Sequence, residues 1–364
     1  MVVLQFTVSI ILIISTILIF QQVQHIKSRD LGYNKDNLIR LDLQGDMLTH
    51  YDAIRQDLLN TGLVENTGLS SNQILYTSDN TTGYDWAGRD PHQNPLISFR
   101  LINPGFIRTW GMRITEGRDF QSDADSASVL ITESFERLMG KESAVGKIIK
   151  DGNGSYPVVG VIKDLVYGDM YGRGDPAIFF CAPSQTRNLY IRFKAQASPQ
   201  EALTKIGAVM KADNPAYPFN YQFVDDQFNE FFASENLIGK LSRIFAVLAI
   251  LISCLGLFGL AAYTAERRTR EIGIRKVLGA STTGITSLLS KDFMKLVLIS
   301  ALIAFPVAWW SMDQWLKNYA YRIQISGWVF LIAGAAALFI ALTTISFQAI
   351  RSATANPVKS LRSE

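Results

Sequence analysis

The chain has 364 residues, which is more than one typical domain, and its formal net charge is only +3. This charge excludes a global basic field, so we expect no nucleic-acid partner. The hydrophobic fraction of 48% is ordinary for a globular protein, but the apolar residues are concentrated toward the two ends of the chain.

Four segments are long and apolar enough to cross a bilayer, which takes about 20 mainly apolar residues. They are residues 2–20, 241–263, 293–312 and 326–347. A Lys or Arg at a helix centre costs roughly 2.5–3.5 kcal/mol on insertion scales, and these segments have none there. We therefore predict an α-helical membrane protein with about four transmembrane helices in a one-plus-three arrangement.

The first span is expected to be an uncleaved membrane anchor. No basic region precedes it and no small-x-small cleavage site follows it, so it does not have the pattern of a signal peptide. The missing basic flank also suggests that Met1 is not the natural start and that the chain is one half of a longer protein.

Residues 21–240 are predicted to form a large extracytoplasmic domain of mixed α/β structure between the first and second spans. Residue patterns indicate strands at 37–43, 96–102, 128–132, 156–163, 178–181, 188–194 and 220–225. Helical spacing indicates helices at 46–59 and 198–213. The second helix has Ser198 as N-cap, Pro199 at the first helical position and Glu201 closing a capping box. We expect two parts, 37–95 and 186–230, to flank an inserted small α/β part at 96–185.

No pattern in the sequence indicates catalysis, a cofactor or a metal. Residues 140–147 have five positions between their glycines and Ile148 after the lysine, so they form a turn rather than a Walker A loop. Residues 151–155, between two apolar runs, predict a hairpin turn rather than a calcium loop. The three histidines are scattered and lack partner cysteines. We expect a protein that is not an enzyme.

Small residues follow one side of the second span, namely Ser253, Gly256 and Gly259. Small side chains allow helices to approach closely in lipid. The pattern fits packing within one chain and contact between subunits equally well, so the sequence leaves both alternatives open.

The stretch between the second and third spans, residues 263–281, has the sequence YTAERRTREIGIRKVLGAS. Short loops rich in Lys and Arg stay in the cytoplasm, so this stretch places the domain at 21–240 outside. Glu271 lies four residues before Arg275, the favourable order for a helical ion pair, and Gly279 can end the helix. We predict a cytoplasmic helix that contacts a soluble partner.

Residues 266–281 resemble the signature of the FtsX/MacB-like ABC transporter permeases. The last span followed by NPVKSLR at 356–362 is similar to the end of that family. In the external domain, Gly117-Arg118-Asp119-Phe120 resembles the family's GR-x-F element, and residues 144–147 with 156–164 resemble its periplasmic core domain. The resemblance covers essentially the whole chain.

This resemblance implies a permease subunit of the bacterial inner membrane with a large domain in the periplasm. It implies an ABC ATPase subunit as partner, and a relay of ATP-driven motion to the periplasm for efflux or for lipoprotein or peptide handling. The flanking parts of the domain would be porter-like. Further implied partners are a second permease half or a second copy, a periplasmic adaptor or outer-membrane protein, and membrane lipid.

Two questions stay open within the resemblance. The chain has no fused ATPase domain, so we expect either the C-terminal half of a tandem permease, with about eight spans in all, or a half-size permease that forms a homodimer. The alternative function is an FtsX-like regulator that activates periplasmic cell-wall hydrolases.

The candidate ATPase-coupling site is the cytoplasmic segment. Apolar side chains at 272, 274, 277 and 278 are expected to enter a groove of the ATPase, with basic side chains at the rim. The alternative is that the basic residues only set the topology and contact lipid headgroups. The candidate coupling residues are Glu266, Arg267, Arg268, Glu271, Ile272, Gly273, Ile274, Arg275, Lys276, Leu278 and Gly279.

Overall fold

The computed structural model describes residues 1–76, 79–170, 172, 174–267 and 282–354. The chain forms two compact units, one made of Met1–Ser28 with Ala233–Glu364 and the other of Arg29–Phe232. The first unit contains the long apolar helices and the second contains the strands, so we call them the membrane unit and the α/β unit.

The helices and strands of the described residues are numbered in chain order. The helices are α1 (Val2–Lys27), α2 (Tyr51–Asn60), α3 (Phe106–Thr109), α4 (Glu133–Met139), α5 (Pro199–Asp213), α6 (Val224–Glu230), α7 (Ala233–Arg267), α8 (Thr282–Leu316) and α9 (Gly327–Thr354). The strands are β1 (Leu38–Asp42), β2 (Val64–Ser70), β3 (Asn80–Thr81), β4 (Asp85–Trp86), β5 (Ile97–Ile102), β6 (Ile114–Gly117), β7 (Val129–Thr132), β8 (Ile148–Lys150), β9 (Ser155–Ile162), β10 (Ala177–Cys181), β11 (Asn188–Phe193) and β12 (Gln222–Phe223).

Helices α1, α7, α8 and α9 are long and apolar enough to cross a membrane, over Val2–Lys27, Ala233–Thr264, Ser290–Leu316 and Gly327–Ser346. The predicted fold class, with four spans in a one-plus-three arrangement around a mixed α/β domain, is confirmed. Helix α1 continues past the predicted end at residue 20 because Ile19, Val23 and Ile26 are buried at helical spacing.

Helix α1 contacts α7, α8 and α9 and supplies the buried centre of the membrane unit. Its residues Ile10, Ile14 and Leu18 are fully buried. Small side chains of α8 and α9 complete this core and let the helices approach closely, namely Ala304, Ala308, Ala333, Ala337 and Ala341. Helix α1 therefore packs against each of the other three candidate spans.

The strands of the α/β unit form a mixed sheet in the order β12-β1-β11-β2-β5-β10-β7-β9-β8-β4, with β3 beside β5 and β6 beside β9. Strand β11 runs antiparallel to β1 and β2, whereas β5 runs parallel to β10 and β7 parallel to β9. Strand β2 pairs with β5 at Ser70 and Ile102. The sheet thus joins strands from early and late parts of the chain.

Two hydrophobic cores lie along this sheet. One packs α2 and α5 against β1, β2 and β11, with Ile54, Leu58 and Ile206 fully or almost fully buried. The other packs α4 against β7, β9 and β10, with Phe135 and Ile178 fully buried. Residues from 39–69 and 189–210 therefore share one core, and residues from 84–180 form the other.

Most strands lie where the sequence pattern predicts them, including β1, β5, β7, β9, β10 and β11. The predicted turn at 151–155 is also confirmed, because it joins β8 to β9 and the Asp151 carboxylate accepts hydrogen bonds from the backbone N–H groups of Asn153 and Gly154. The predicted strand at 220–225 ends at Phe223, so this prediction is wrong beyond that residue, since Val224 begins α6.

The prediction of a capping box at Ser198 is also wrong. Helix α5 begins there, but the side chain makes no capping hydrogen bond, and Glu201 instead pairs with Lys205 at 3.7 Å.

Candidate functional site

The predicted coupling segment lies between the end of α7 and the start of α8. Glu266 and Arg267 are exposed in the last turn of α7, and the Arg267 guanidinium lies 5.7 Å from the centre of the Tyr263 ring. Both helices are candidate spans, so the segment joins two helix ends at the same face of the membrane. The other candidate coupling residues lie outside the described residues, namely Arg268, Glu271, Ile272, Gly273, Ile274, Arg275, Lys276, Leu278 and Gly279.

The small residues of α7 differ in what they face. The Ser253 hydroxyl is 3.1 Å from the hydroxyl of Ser9 in α1, and both residues are buried. A Cβ atom on Gly256 would lie 2.6 Å from Oε1 of Gln5, also in α1. Around Gly259, by contrast, no described atom of this chain outside the helix backbone lies within 4 Å of a built Cβ. Two of the three positions thus face α1, and the third is exposed.

Helix α1 also bonds to α8 near its N-terminal end. The Ser300 hydroxyl of α8 lies 3.0 Å from the backbone carbonyl of Val3 and 2.8 Å from that of Leu296. Hydrogen bonds between transmembrane helices contribute about 0.6 kcal/mol on average. The contact is therefore expected to contribute only modestly to the stability of the helix pair.

A second link between α1 and the rest of the membrane unit was not predicted from the sequence. Gln22 is 0% exposed, and its amide makes hydrogen bonds to the backbone of Tyr321 and Ile323, in the loop between α8 and α9. A glutamine at the end of an apolar helix is expected to lie at the membrane–water interface. The sequence around Gln22 therefore did not indicate a buried contact.

The GR-x-F element stabilises a close approach of backbone in the α/β unit. Gly117 has a φ of +74°, and a Cβ there would lie 2.3 Å from the Val159 carbonyl oxygen. Phe120 is 4% exposed and buried in the unit. The Arg118 guanidinium donates to both carboxylate oxygens of Asp125, at 2.8 and 3.0 Å. The described contacts of this element are thus those of a structural turn.

An open cleft of about 1150 Å³ lies beside this element and is also lined by α2 and α3. Its charged side chains include Asp52, Arg55, Arg108, Asp119 and Asp123. Burial raises the pKa of the Asp119 carboxyl, an effect that the nearby Arg108 partly opposes. The cleft therefore offers both signs of charge to a ligand.

Replacing Arg118 by leucine is expected to destabilise the α/β unit by about 1 kcal/mol at neutral pH, because the Arg118 side chain is 44% exposed and water screens the pair. Hydrogen bonds from Arg118 lower the pKa of Asp125 to about 2. A carboxyl group with a pKa below its unfolded value of about 3.9 stabilises the fold above that pH, and the effect is lost as the pH falls toward 2. Urea unfolding of the full-length chain, monitored by proteolysis, should show a lower free energy of unfolding for Arg118→Leu than for the wild type at pH 7. This difference should disappear near pH 2.

Arg137→Leu is the matched control for this prediction. Arg137 pairs with Asp164 at 2.6 Å, but its side chain is 63% exposed, so we expect a smaller loss of a few tenths of a kcal/mol. Equal stability of the two variants at pH 7 would contradict the role assigned to Arg118.

Two family models together match most of the chain. Residues 3–209 match the family model of the MacB-like periplasmic core domain, and residues 243–357 match that of the FtsX-like permease C-terminal domain. The first match alone spans more than half of the chain.

Named relatives share low sequence identity with the chain. A macrolide export ATP-binding/permease protein MacB of Chromobacterium violaceum is 23% identical over 294 residues, which are 76% of this chain and 45% of that protein. An uncharacterised ABC transporter permease, YknZ of Bacillus subtilis, is 23% identical over 287 residues, 72% of this chain and 69% of that protein. The chain thus spans less than half the length of the first relative.

Solved structures similar to part of this chain are also known. The periplasmic region of MacB from Actinobacillus actinomycetemcomitans has a TM-score of 0.39 and 12% identity, covering 57% of this chain and 98% of that one. The extracellular domain of YknZ from Gram-positive bacteria has a TM-score of 0.35 and 16% identity, covering 51% of this chain and 98% of that one.

Proposed function

Because the chain belongs to the family of FtsX-like ABC transporter permeases with a MacB-like periplasmic core domain, we propose that it carries ATP-driven motion from a separate ATPase to the periplasm. The family resemblance drawn from the sequence is confirmed by this membership. The chain is a multi-pass inner-membrane protein, and its α/β unit lies in the periplasm.

The observation that carries this proposal is the path of α7. This helix runs without interruption from Ala233, directly after the α/β unit, to Arg267, directly before the coupling segment. A displacement at its cytoplasmic end can reach the periplasmic side along a single rigid element. A permease that only formed a pore would not need such a connection to a large external domain.

Docking of the ATPase is assigned to the segment that begins at Glu266. Its apolar residues Ile272 and Ile274 would enter a hydrophobic groove, and the surrounding arginines would contact the rim, since buried apolar anchors supply most of the affinity of such contacts. The exposed positions of Glu266 and Arg267 agree with a segment that is open to the cytoplasm.

A second permease subunit is assigned to the exposed face of α7. Gly259 is exposed on this face, whereas Ser253 and Gly256 already face α1. Small residues on an exposed transmembrane face favour close packing of another helix. The partner helix would belong to a second copy or to the other half of a tandem permease.

The cargo is proposed to be exported or handled at the periplasmic face rather than hydrolysed or modified. The C. violaceum relative is named for macrolide export, which supports efflux as one outcome. Lipoprotein or peptide handling with a periplasmic adaptor or outer-membrane protein is the other.

Purification of the tagged full-length chain from native membranes tests the proposal. We expect an ABC ATPase to copurify at a defined stoichiometry, together with an adaptor or outer-membrane protein. Recovery of the ATPase with a cell-wall hydrolase instead would favour the regulatory alternative, and recovery of no ATPase would contradict the proposal.

A further inference from the structure

One buried side chain connects the periplasmic end of α1 to the loop between α8 and α9. The Gln22 amide nitrogen donates to the Tyr321 carbonyl at 3.0 Å, and its oxygen accepts from the Ile323 N–H at 2.9 Å. One turn further along α1, the His25 ring stacks on the Tyr321 ring, with centroids 4.4 Å apart and planes 2° from parallel. The loop therefore contacts α1 through the backbone of Tyr321 and Ile323 and through the side chain of Tyr321.

The burial of this contact makes it costly to break. Gln22 is 0% exposed, and Ile323 and Ile325 pack against the hydrophobic core of the membrane unit. If the loop left α1, the Gln22 amide would lose both of its partners at a fully buried position, and a buried polar group without a partner is strongly unfavourable. The loop and α1 are thus expected to move together.

Helix α1 is attached to α8 at its other end as well. The Ser300 hydroxyl of α8 is 3.0 Å from the Val3 carbonyl, close to the cytoplasmic start of α1. The two polar contacts lie near opposite ends of α1, and buried apolar residues such as Ile10, Ile14 and Leu18 lie between them. This arrangement resists both sliding and tilting of α1 relative to α8.

We propose that Gln22 is a positioning residue that makes α1, α8 and α9 one mechanical body. Motion received at the cytoplasmic start of α8 would then reach the α/β unit through α1, because α1 ends at Lys27 and the α/β unit begins at Arg29. The periplasmic domain would be driven from both of its chain ends, by α7 on one side and by α1 on the other. This inference rests on the proposed function.

Hydrogen exchange of the full-length chain with its ATPase in lipid nanodiscs tests the inference. Gln22→Leu keeps the approximate volume and removes both hydrogen bonds, and Gln24→Leu is the matched control because Gln24 is exposed on the same helix. We expect the Ile323 amide to exchange about tenfold faster in Gln22→Leu and at the wild-type rate in Gln24→Leu. We also expect the ATP-dependent change in exchange of residues 29–44 to fall by about half in Gln22→Leu alone, since the route through α1 is weakened at its periplasmic end.

The outcomes separate this inference from the proposed function. If wild type shows no ATP-dependent change in the α/β unit, the proposed function fails and the inference fails with it. If wild type responds and Gln22→Leu responds equally, or if the Ile323 amide stays protected in Gln22→Leu, only the inference is overturned. Should Gln22→Leu not accumulate in the membrane, Gln22→Asn, whose amide is one methylene short of the loop, gives the same comparison.

Discussion

Replacing both Ile272 and Ile274 by aspartate is expected to abolish stimulation of the partner ATPase while the chain still inserts into the membrane. An apolar anchor of an interface contributes at least about 2 kcal/mol, roughly thirty-fold in affinity, and a carboxylate in its place must also be desolvated. The basic residues that set the topology are unchanged in this variant, so insertion is preserved. ATPase activity of the reconstituted complex, with membrane content measured in parallel, gives both quantities.

The control for this prediction is the pair Ile272→Leu and Ile274→Leu. It keeps the apolar surface and the charge, so it should retain most of the stimulation. Full stimulation in the aspartate variant would show that the segment contacts only lipid headgroups, which is the alternative role of its basic residues.

Gly117→Val is expected to destabilise the α/β unit by more than about 3 kcal/mol. A β-branched residue is strained at the φ of +74° found here, and its Cβ would lie 2.3 Å from the Val159 carbonyl oxygen, closer than atoms can approach. Because Gly117 pairs with Gly160 between β6 and β9, the strands must separate to make room. Proteolysis of the full-length chain should show loss of the resistant α/β unit.

Gly146→Val separates the two causes of this effect. Gly146 also has a positive φ, +86°, but no described atom outside its own neighbours lies within 4 Å of a built Cβ. Gly146→Val is therefore expected to lower the free energy of unfolding through backbone strain alone, by about 1–2 kcal/mol. If both variants lose protease resistance to the same extent, the close approach at Val159 is not what requires glycine at position 117.

The sequence was sufficient for those elements whose signals are local. The spans follow from apolar length, and strands such as β7 and β11 follow from short β-branched and aromatic runs. The order of strands in the sheet was not predictable in this way, since β1 pairs with β11 through residues such as Ile39 and Ile191, far apart in the chain. Such pairing depends on tertiary packing rather than on any window of sequence.

Errors arose where two local signals competed. Val224 follows strand-like residues and has an apolar side chain, but Asp225 and Asp226 fall in the first turn of α6, where negative charge is favourable at a helix N-terminus. Lys35 forms an ion pair with Asp225 that supports the helical arrangement. The acidic residues were therefore a helix-start signal rather than the end of a strand.

The candidate site was only partly accessible from sequence. Composition and spacing predict that residues 266–281 are cytoplasmic, and both this placement and their docking to an ATPase stay predictions. Spacing alone could not separate Gly256, which faces Gln5, from Gly259, which is exposed, because both lie on the same side of an apolar helix. Gln22 was missed because its partners are backbone groups of a distant loop.

Photocrosslinking from position 272 tests the central claim most directly. A photoreactive amino acid is placed at Ile272 in the full-length chain, and irradiated cells are examined for adducts by mass spectrometry. Our account predicts an adduct with an ABC ATPase that is absent when the same amino acid replaces exposed Leu96 in the periplasmic domain. Adducts with lipid alone, or with a periplasmic protein, would contradict the claim that this segment receives motion from an ATPase in the cytoplasm.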